Sequence, residues 1–262
     1  MTPDRIAASF RTARLSAQPL DAYPGTDVPP TLASAYEIQQ LAIAAWPDRV
    51  AGWKVAAIRE DWRTRYPADR LAGPIFAQQL SIGDGERSVI RGGYAAVEAE
   101  FALLLTPDFP VDTTFESVDA LLPYVAAVHA AVELAGSPLP NLSALGPGAV
   151  ISDFGNNIGL VIGPELEQFF ERPLAGWNVA VTVGDALVGE GSAERIPGGP
   201  LASLLFLANS LVSRGASLRP GDWISTGAST GAHAVQIGDE VEVSFDGKRA
   251  ISLRICAAQP IA

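Results

Sequence analysis

The sequence contains very few of the residues that build disulfides and multi-histidine metal sites. Cys256 is the single cysteine in 262 residues, so an intrachain disulfide and a cysteine-based zinc site are both excluded. His129 and His233 are the only histidines, too few for a zinc centre with several histidine ligands. A Walker A sequence and a G-x-S-x-G nucleophile elbow are also missing. None of these common catalytic arrangements is therefore expected.

Positive charge is scarce as well. Lys and Arg total 18 against 29 Asp and Glu, which gives a net charge of −11. A chain this acidic is a poor candidate for binding nucleic acid or an anionic membrane surface. We find no apolar run of about 18 residues, the minimum for a transmembrane helix, and no signal peptide in the first fifteen residues. We therefore expect a soluble cytoplasmic protein.

Hydrophobic periodicity predicts a helical start followed by many strands. Helices are predicted over 4–15, 31–46, 116–128 and 200–214. Strands are predicted over 52–58, 88–105, 157–163, 177–191, 222–227 and 239–255. Gly184-Asp185 and Asp246-Gly247 are hairpin signals, and 83–88 is predicted as a turn. The order is not a βαβα alternation, so we expect an α+β protein with a helical segment over 1–50 and a β-rich domain over 51–262.

Two glutamates share one face of a strongly apolar strand, VEAEFALLL (97–105). Residues i and i+2 of a strand point to the same side, so Glu98 and Glu100 project together. If both faces of the strand are buried, the two carboxylates need a compensating cation, and Mg²⁺ or Mn²⁺ prefers such oxygen ligands. The alternative is a solvated face of an edge strand.

Glu133 and Lys54 also lie in apolar runs. Glu133 is either a buried, partnered charge or a helix position that faces solvent. Lys54, within GWKVAAI, is the natural positive partner of these acids, although a structural lysine that extends to solvent would fit the same pattern. We expect His129 to be a core residue and His233 to lie on a loop.

Seven segments occur in order over about 200 residues: AYEIQ (35–39), GWKV (52–55), LAGPIF (71–76), VEAEFALLL (97–105), HAAVEL (129–134), GGPLASLLFLANSL (198–211) and LRPGDWISTGASTG (218–231). Together they resemble the 2-keto-4-pentenoate hydratase and 2-oxohepta-3-ene-1,7-dioate hydratase group of the fumarylacetoacetate hydrolase superfamily. The resemblance implies a mixed β-sheet roll around a metal site, preceded by a small helical part.

The same resemblance implies roles for individual residues. Glu98, Glu100 and Glu133 would bind Mg²⁺ or Mn²⁺, and Lys54 would be catalytic or charge-balancing. The implied substrate-binding residues are Ile75 and Phe76, in a loop over 71–76, with Asp153, Thr226 and Gly227. Three departures concern the substrate pocket. Gly136, Ser137 and Pro138 replace an Asp-Ser-Arg tripeptide, Phe154 replaces the Asn after Asp153, and Gly199 replaces the Asn of an Asn-Pro pair.

The resemblance implies a lyase that hydrates a 2-hydroxy-2,4-dienoate during meta-cleavage catabolism of aromatic compounds. A decarboxylase of an oxalocrotonate-type diacid is the first alternative, and a C–C bond hydrolase the second. A third is a noncatalytic partner subunit, because related hydratases and decarboxylases associate with one another. The expected partners are a small 2-keto acid, further copies of the chain, and another enzyme of the same pathway.

Overall fold

The computed structural model describes residues 2–261, and strands make up most of its regular structure. The strands are β1 Val50–Ala57, β2 Arg70–Phe76, β3 Leu80–Ile82, β4 Gly85–Val89, β5 Tyr94–Leu105, β6 Val125–Ser137, β7 Asn157–Glu165, β8 Asn178–Val183, β9 Ala186–Ser192, β10 Trp223–Ser225, β11 Ala232–Ala234, β12 Glu240–Phe245 and β13 Lys248–Ala257. The helices are α1 Pro3–Leu15, α2 Leu32–Ala44, α3 Glu60–Arg63, α4 Pro147–Ser152 and α5 Gly199–Ser213. The predicted α+β class is confirmed.

The strands form two sheets. The larger has the order β2-β1-β10-β5-β6-β7-β3, with β11 paired alongside β5. It is mixed, because β1 runs parallel to β10 whereas β5 is antiparallel to both β10 and β6. The smaller sheet has the order β4-β13-β12-β8-β9. Apolar side chains fill the space between the sheets, where the Phe101 and Phe245 rings lie 5.3 Å apart.

The two faces of β5 differ in chemistry. Val97, Ala99, Phe101 and Leu103 point into the core between the sheets and are fully buried. Their neighbours in the chain, including Glu98 and Glu100, therefore point to the opposite face of the larger sheet. On the helical side of the fold, α1 and α2 pack against β2, α4 and Phe154 through a second apolar cluster. This layout places the acidic face of β5 away from the main core.

Most predicted elements are confirmed, but four assignments are wrong. The helix predicted over 116–128 is a 3-10 turn, Asp119–Tyr124, followed by β6. Pro123 has no N–H to donate within a helix, and the run of alanine and valine after it pairs with β5 instead. The strand predicted over 88–105 is interrupted before Tyr94 at Gly92, where φ is +79°. Part of the turn predicted over 83–88 is β4, and the loop predicted over 71–76 is β2.

Both predicted hairpins are present, with Gly184 at φ +57° and Asp246 at φ +51°. The division at residue 50 stays a prediction. Within residues 2–261, none of the helices is both long and apolar enough to cross a membrane.

Candidate functional site

Three glutamates converge on the acidic face of β5 and β6. Glu98 and Glu133 are direct neighbours in the antiparallel ladder, and Glu100 follows two residues along the same face. One carboxylate oxygen from each lies within 4.8 Å of the other two. Glu98 is 9% exposed, and Glu100 and Glu133 are fully buried. The solvated-edge alternative for Glu98 and Glu100 is therefore wrong, because β5 lies inside the sheet, between β6 and the strands β10 and β11.

Each fully buried glutamate has only one of its oxygens satisfied by the protein. Glu100 Oε2 accepts hydrogen bonds from the Ser225 hydroxyl at 2.5 Å and the Gly227 N–H at 2.8 Å. Glu133 Oε1 accepts one from Asn157 Nδ2 at 3.0 Å. Glu100 Oε1 and Glu133 Oε2 have no hydrogen-bond partner within residues 2–261. Burying carboxylate oxygens without hydrogen bonds lowers the free energy of unfolding, because they lose their contacts with water. They fit the oxygen coordination of a divalent cation such as Mg²⁺ or Mn²⁺.

The local charge agrees with that fit. Burial, followed by the charge of Glu133, raises the pKa of Glu98 to about 7. Burial and the other two carboxylates raise the pKa of Glu100 well above its ordinary value. With all three acids ionised and Lys54 protonated, the formal charge is −3 + 1 = −2. A divalent cation would bring this to zero and offset the repulsion that, together with the larger effect of burial, raises both pKa values.

Lys54 is the cation nearest to this cluster. It lies on β1, is 1% exposed, and its Nζ is 3.3 Å from Glu133 Oε1, so it does not extend to solvent. Nζ also donates a hydrogen bond to Asn156 Oδ1 at 3.1 Å. Burial lowers the pKa of Lys54, but the charges of Glu133, Glu98 and Glu100 outweigh burial and raise it. Lys54 is therefore buried beside carboxylates whose charges favour its protonated form.

An unusual backbone segment carries two amides to these charged groups. Phe154, Gly155 and Asn156 have φ angles of +56°, +66° and +59°, so three successive residues are left-handed. That conformation suits glycine, is tolerated by asparagine and is sterically costly for Phe154. It directs Asn156 to Lys54 and Asn157 to Glu133. Sequence analysis did not identify either asparagine, although a polar Asn-Asn pair before a buried apolar strand is the available signal.

The predicted substrate-binding residues occupy different surroundings. Ile75 is on the acidic side of the sheet, in an apolar cluster with Ala102 and Ala131. Gly227 touches the acidic cluster directly through its N–H. The Thr226 hydroxyl donates instead to the Phe101 carbonyl at 2.7 Å. Substrate binding by these residues stays a prediction.

The other two predicted residues contact the N-terminal helical region. Phe76 stacks on Trp46 with ring centroids 5.1 Å apart. Asp153 is fully buried and forms an ion pair with Arg14 at 2.5 Å. Their binding roles also stay predictions.

Neither histidine joins the acidic cluster. His129 Nδ1 is 3.0 Å from the Gly163 carbonyl, and its ring packs edge-on against Trp223, but the residue is half-buried rather than in the core as predicted. His233 lies on β11 rather than on a loop, opposite Val97, and thus on the other side of the sheet from Glu98. Its Nε2 is 3.0 Å from the Thr230 hydroxyl.

Comparisons with known proteins find relatives along most of the chain. A 2-keto-4-pentenoate hydratase from Dechloromonas aromatica is 26% identical over 221 residues, which cover 82% of each chain. A 4-oxalocrotonate decarboxylase from Pseudomonas putida is 26% identical over 163 residues, 60% of this chain and 59% of that protein. No family model matches the sequence.

Solved structures share the fold. The 4-oxalocrotonate decarboxylase from Pseudomonas putida G7, solved with magnesium and adipate, gives a TM-score of 0.79 at 20% identity over 97% of both chains. A fumarylpyruvate hydrolase from Pseudomonas aeruginosa, solved with Mn²⁺ and pyruvate, gives 0.58 at 16% identity, covering 81% of this chain and 91% of that one. The resemblance inferred from the sequence motifs is thereby confirmed: the chain has the α+β fold of the fumarylacetoacetate hydrolase superfamily and is similar in sequence to its 2-keto-4-pentenoate hydratase group.

Proposed function

We propose that this protein is a metal-dependent hydratase that converts a 2-hydroxy-2,4-dienoate into a 4-hydroxy-2-keto acid. The observation that carries the proposal is the buried cluster of Glu98, Glu100 and Glu133, with Lys54 beside it and two carboxylate oxygens that have no hydrogen-bond partner among the described residues. The similarity to a hydratase over 82% of the chain supports the reaction class. The biological setting would be the meta-cleavage breakdown of aromatic compounds.

The three glutamates are the proposed ligands of Mg²⁺ or Mn²⁺. When bound, the cation would supply Lewis-acid chemistry at the 2-oxo oxygen of a keto acid. The Ser225 hydroxyl and the Gly227 N–H fix one oxygen of Glu100, which leaves its other oxygen for the metal. Asn157 and Lys54 fix one oxygen of Glu133 in the same way. None of the three can serve as a free base while it is a ligand.

Lys54 is the proposed proton carrier. Hydration requires a proton at C5 and loss of the hydroxyl proton to give the 2-oxo-3-enoate. Water oxygen then bonds to C4, C3 gains a proton, and water loses one. An amine that gives and regains a proton balances these steps. An amine with a lowered pKa suits this role, whereas the carboxylates raise the pKa of Lys54. A bound divalent charge would offset the carboxylates, leaving burial, which lowers the pKa.

A direct assay tests the proposal. When purified protein is mixed with Mg²⁺ and enzymatically generated 2-hydroxypenta-2,4-dienoate, the absorbance of the diene should fall. The mass of the product should exceed that of the substrate by one water. Chelation of the metal should stop the reaction, and added Mg²⁺ should restore it. The exposed Glu242→Gln variant is the matched control, since Glu242 lies on β12 of the smaller sheet, remote from the acidic cluster. A diene that persists under these conditions contradicts the hydratase proposal.

A decarboxylase of an oxalocrotonate-type diacid is the second candidate. It is supported by the 26% identity to a 4-oxalocrotonate decarboxylase, although over only 60% of this chain. The same metal and lysine would serve both reactions, because each passes through an enolate. Mass analysis separates them, since decarboxylation releases CO₂ and hydration adds water. Metal binding without turnover of either substrate would favour a noncatalytic partner subunit.

A further inference from the structure

We propose that Arg14 of α1 is a positioning residue for the site. It would hold segment 153–157 in the left-handed form that presents Asn156 to Lys54 and Asn157 to Glu133. The expected effect of Arg14 on turnover rests on the proposed function. The expected effect of Arg14 on the surroundings of Lys54 does not depend on that function. Arg14 is 6% exposed although arginine is rarely buried, and sequence analysis gave it no role.

The guanidinium of Arg14 is bonded to both ends of this segment. Nε donates to Asp153 Oδ1 at 2.5 Å, and Nη2 donates to the Asp153 carbonyl at 3.1 Å. Nη1 donates to the Asn157 carbonyl at 2.8 Å. Between these ends, the Phe154 ring lies 5.2 Å from the guanidinium carbon. A single planar group thus fixes where the segment begins and where it ends.

The segment needs such restraint. Phe154, Gly155 and Asn156 are successive left-handed residues, and non-glycine residues keep that conformation only where the surroundings enforce it. An unrestrained chain would relax Phe154, the residue of the three that tolerates this region least, toward negative φ. Relaxation would rotate the Asn156 amide away from Lys54 Nζ, which it meets at 3.1 Å.

Arg14 also ties the segment to the strand that carries a proposed metal ligand. Its Nη2 donates to the carbonyl of Gly136, three residues after Glu133 on β6, at 3.1 Å. Asn157 reaches Glu133 from the other side. Asp153 balances the charge of Arg14, so the pair contributes geometry rather than net charge. A lysine has no planar fork to reach these acceptors together, so the arginine is specifically required.

The lysine content of the chain offers a test that needs neither metal nor substrate. Lys54 and Lys248 are the only two lysines, so protein labelled with ¹³C-lysine gives two ε-methylene NMR signals, and Lys248→Arg assigns them. Arg14→Lys and Asn156→Ala should both move the Lys54 signal. Arg5→Gln, on the exposed side of the same helix, should leave it in place. An unmoved Lys54 signal in a folded Arg14→Lys protein overturns the proposal.

Kinetics separate positioning from a purely structural role. Once turnover is measured, Arg14→Gln should lower kcat at least 30-fold and change KM less than threefold. In a background with both Asn156→Ala and Asn157→Ala the same substitution should lower kcat less than threefold, because its effect passes through those two amides. If the substitutions lower kcat independently, so that their fold-losses multiply, the proposal is contradicted. If Arg14→Gln does not fold, Arg14→Lys and Asp153→Asn serve instead. If no turnover is found, the hydratase proposal is refuted. The NMR experiment alone then decides whether Arg14 is a positioning residue.

Discussion

Glu98 and Glu133 face each other directly across the β5–β6 ladder, both inside the protein. Like charges directly opposite in an antiparallel pair destabilise a sheet, and burial strengthens their repulsion. The pair is therefore a cost to the fold that a bound cation would offset.

Removing one charge of the cluster should weaken metal binding. Glu98→Gln keeps the size of the side chain but takes away a ligand charge, so we expect the affinity for Mg²⁺ to fall at least 100-fold. Calorimetric titration of the metal-free protein measures this. Glu242→Gln, on an exposed position of β12, is the matched control. An unchanged affinity in Glu98→Gln would remove that residue from the metal site.

The stability of the metal-free protein should fall as the pH rises from about 4.5 to about 7. The pKa of Glu98 is about 7 in the fold against an ordinary value of 4.5. Between these values the folded protein holds a proton that the unfolded chain has lost, so each rise in pH favours unfolding. Urea unfolding across this range should show the decline, and Glu98→Gln should flatten it. Saturating Mg²⁺ should reduce the decline, since metal binds the ionised form.

Lys54→Met should separate metal binding from chemistry. The substitution removes the ammonium beside Glu133 and keeps much of the volume, so the protein should still bind Mg²⁺. We expect kcat to fall about 1,000-fold, within the range for loss of a general acid–base group. The comparison variant is Lys248→Arg, at an exposed position on β13. Full turnover by Lys54→Met would assign the lysine a structural role only.

Gly155→Ala should destabilise the protein more than a glycine substitution in an open turn. At Gly155, with φ +66°, a methyl group would lie 2.9 Å from Gly73 Cα and 3.3 Å from Lys54 Cδ. Gly184 has a similar φ of +57°, and in the part of the chain that the structure describes no atom beyond its own chain neighbours lies within 4 Å of the same position. We expect Gly184→Ala to cost about 1 kcal/mol from backbone strain alone, and Gly155→Ala about 2–4 kcal/mol. Equal melting temperatures for the two variants would contradict the tight contact.

The local spacing of Glu98 and Glu100 was enough to predict that they share a face, because side chains alternate along any strand. The position of Glu133 beside them could not be derived from spacing, since it depends on the register of β5 against β6. The alanine-rich run before Glu133 fits a helix nearly as well as a strand, and pairing with β5 decides between them.

Arg14 was missed for a different reason. Its partner Asp153 is 139 residues away in the chain, and the residues between them give no local pattern that links the two. Asn156 and Asn157 likewise meet Lys54 and Glu133 only after the sheet and the left-handed segment have formed. Periodicity reports which face a residue occupies, whereas contacts of this kind require the three-dimensional arrangement.

The alternation of β5 and β6 also constrains how the chain can misfold. If β6 slipped by a single residue against β5, every one of its side chains would change face. Glu133 would then enter the aromatic interior beside Phe101, and Leu134 would take its place among the acids. Such a misaligned hairpin would bury a lone carboxylate in hydrocarbon and lose the third oxygen donor, so the acidic residues themselves penalise the wrong alignment.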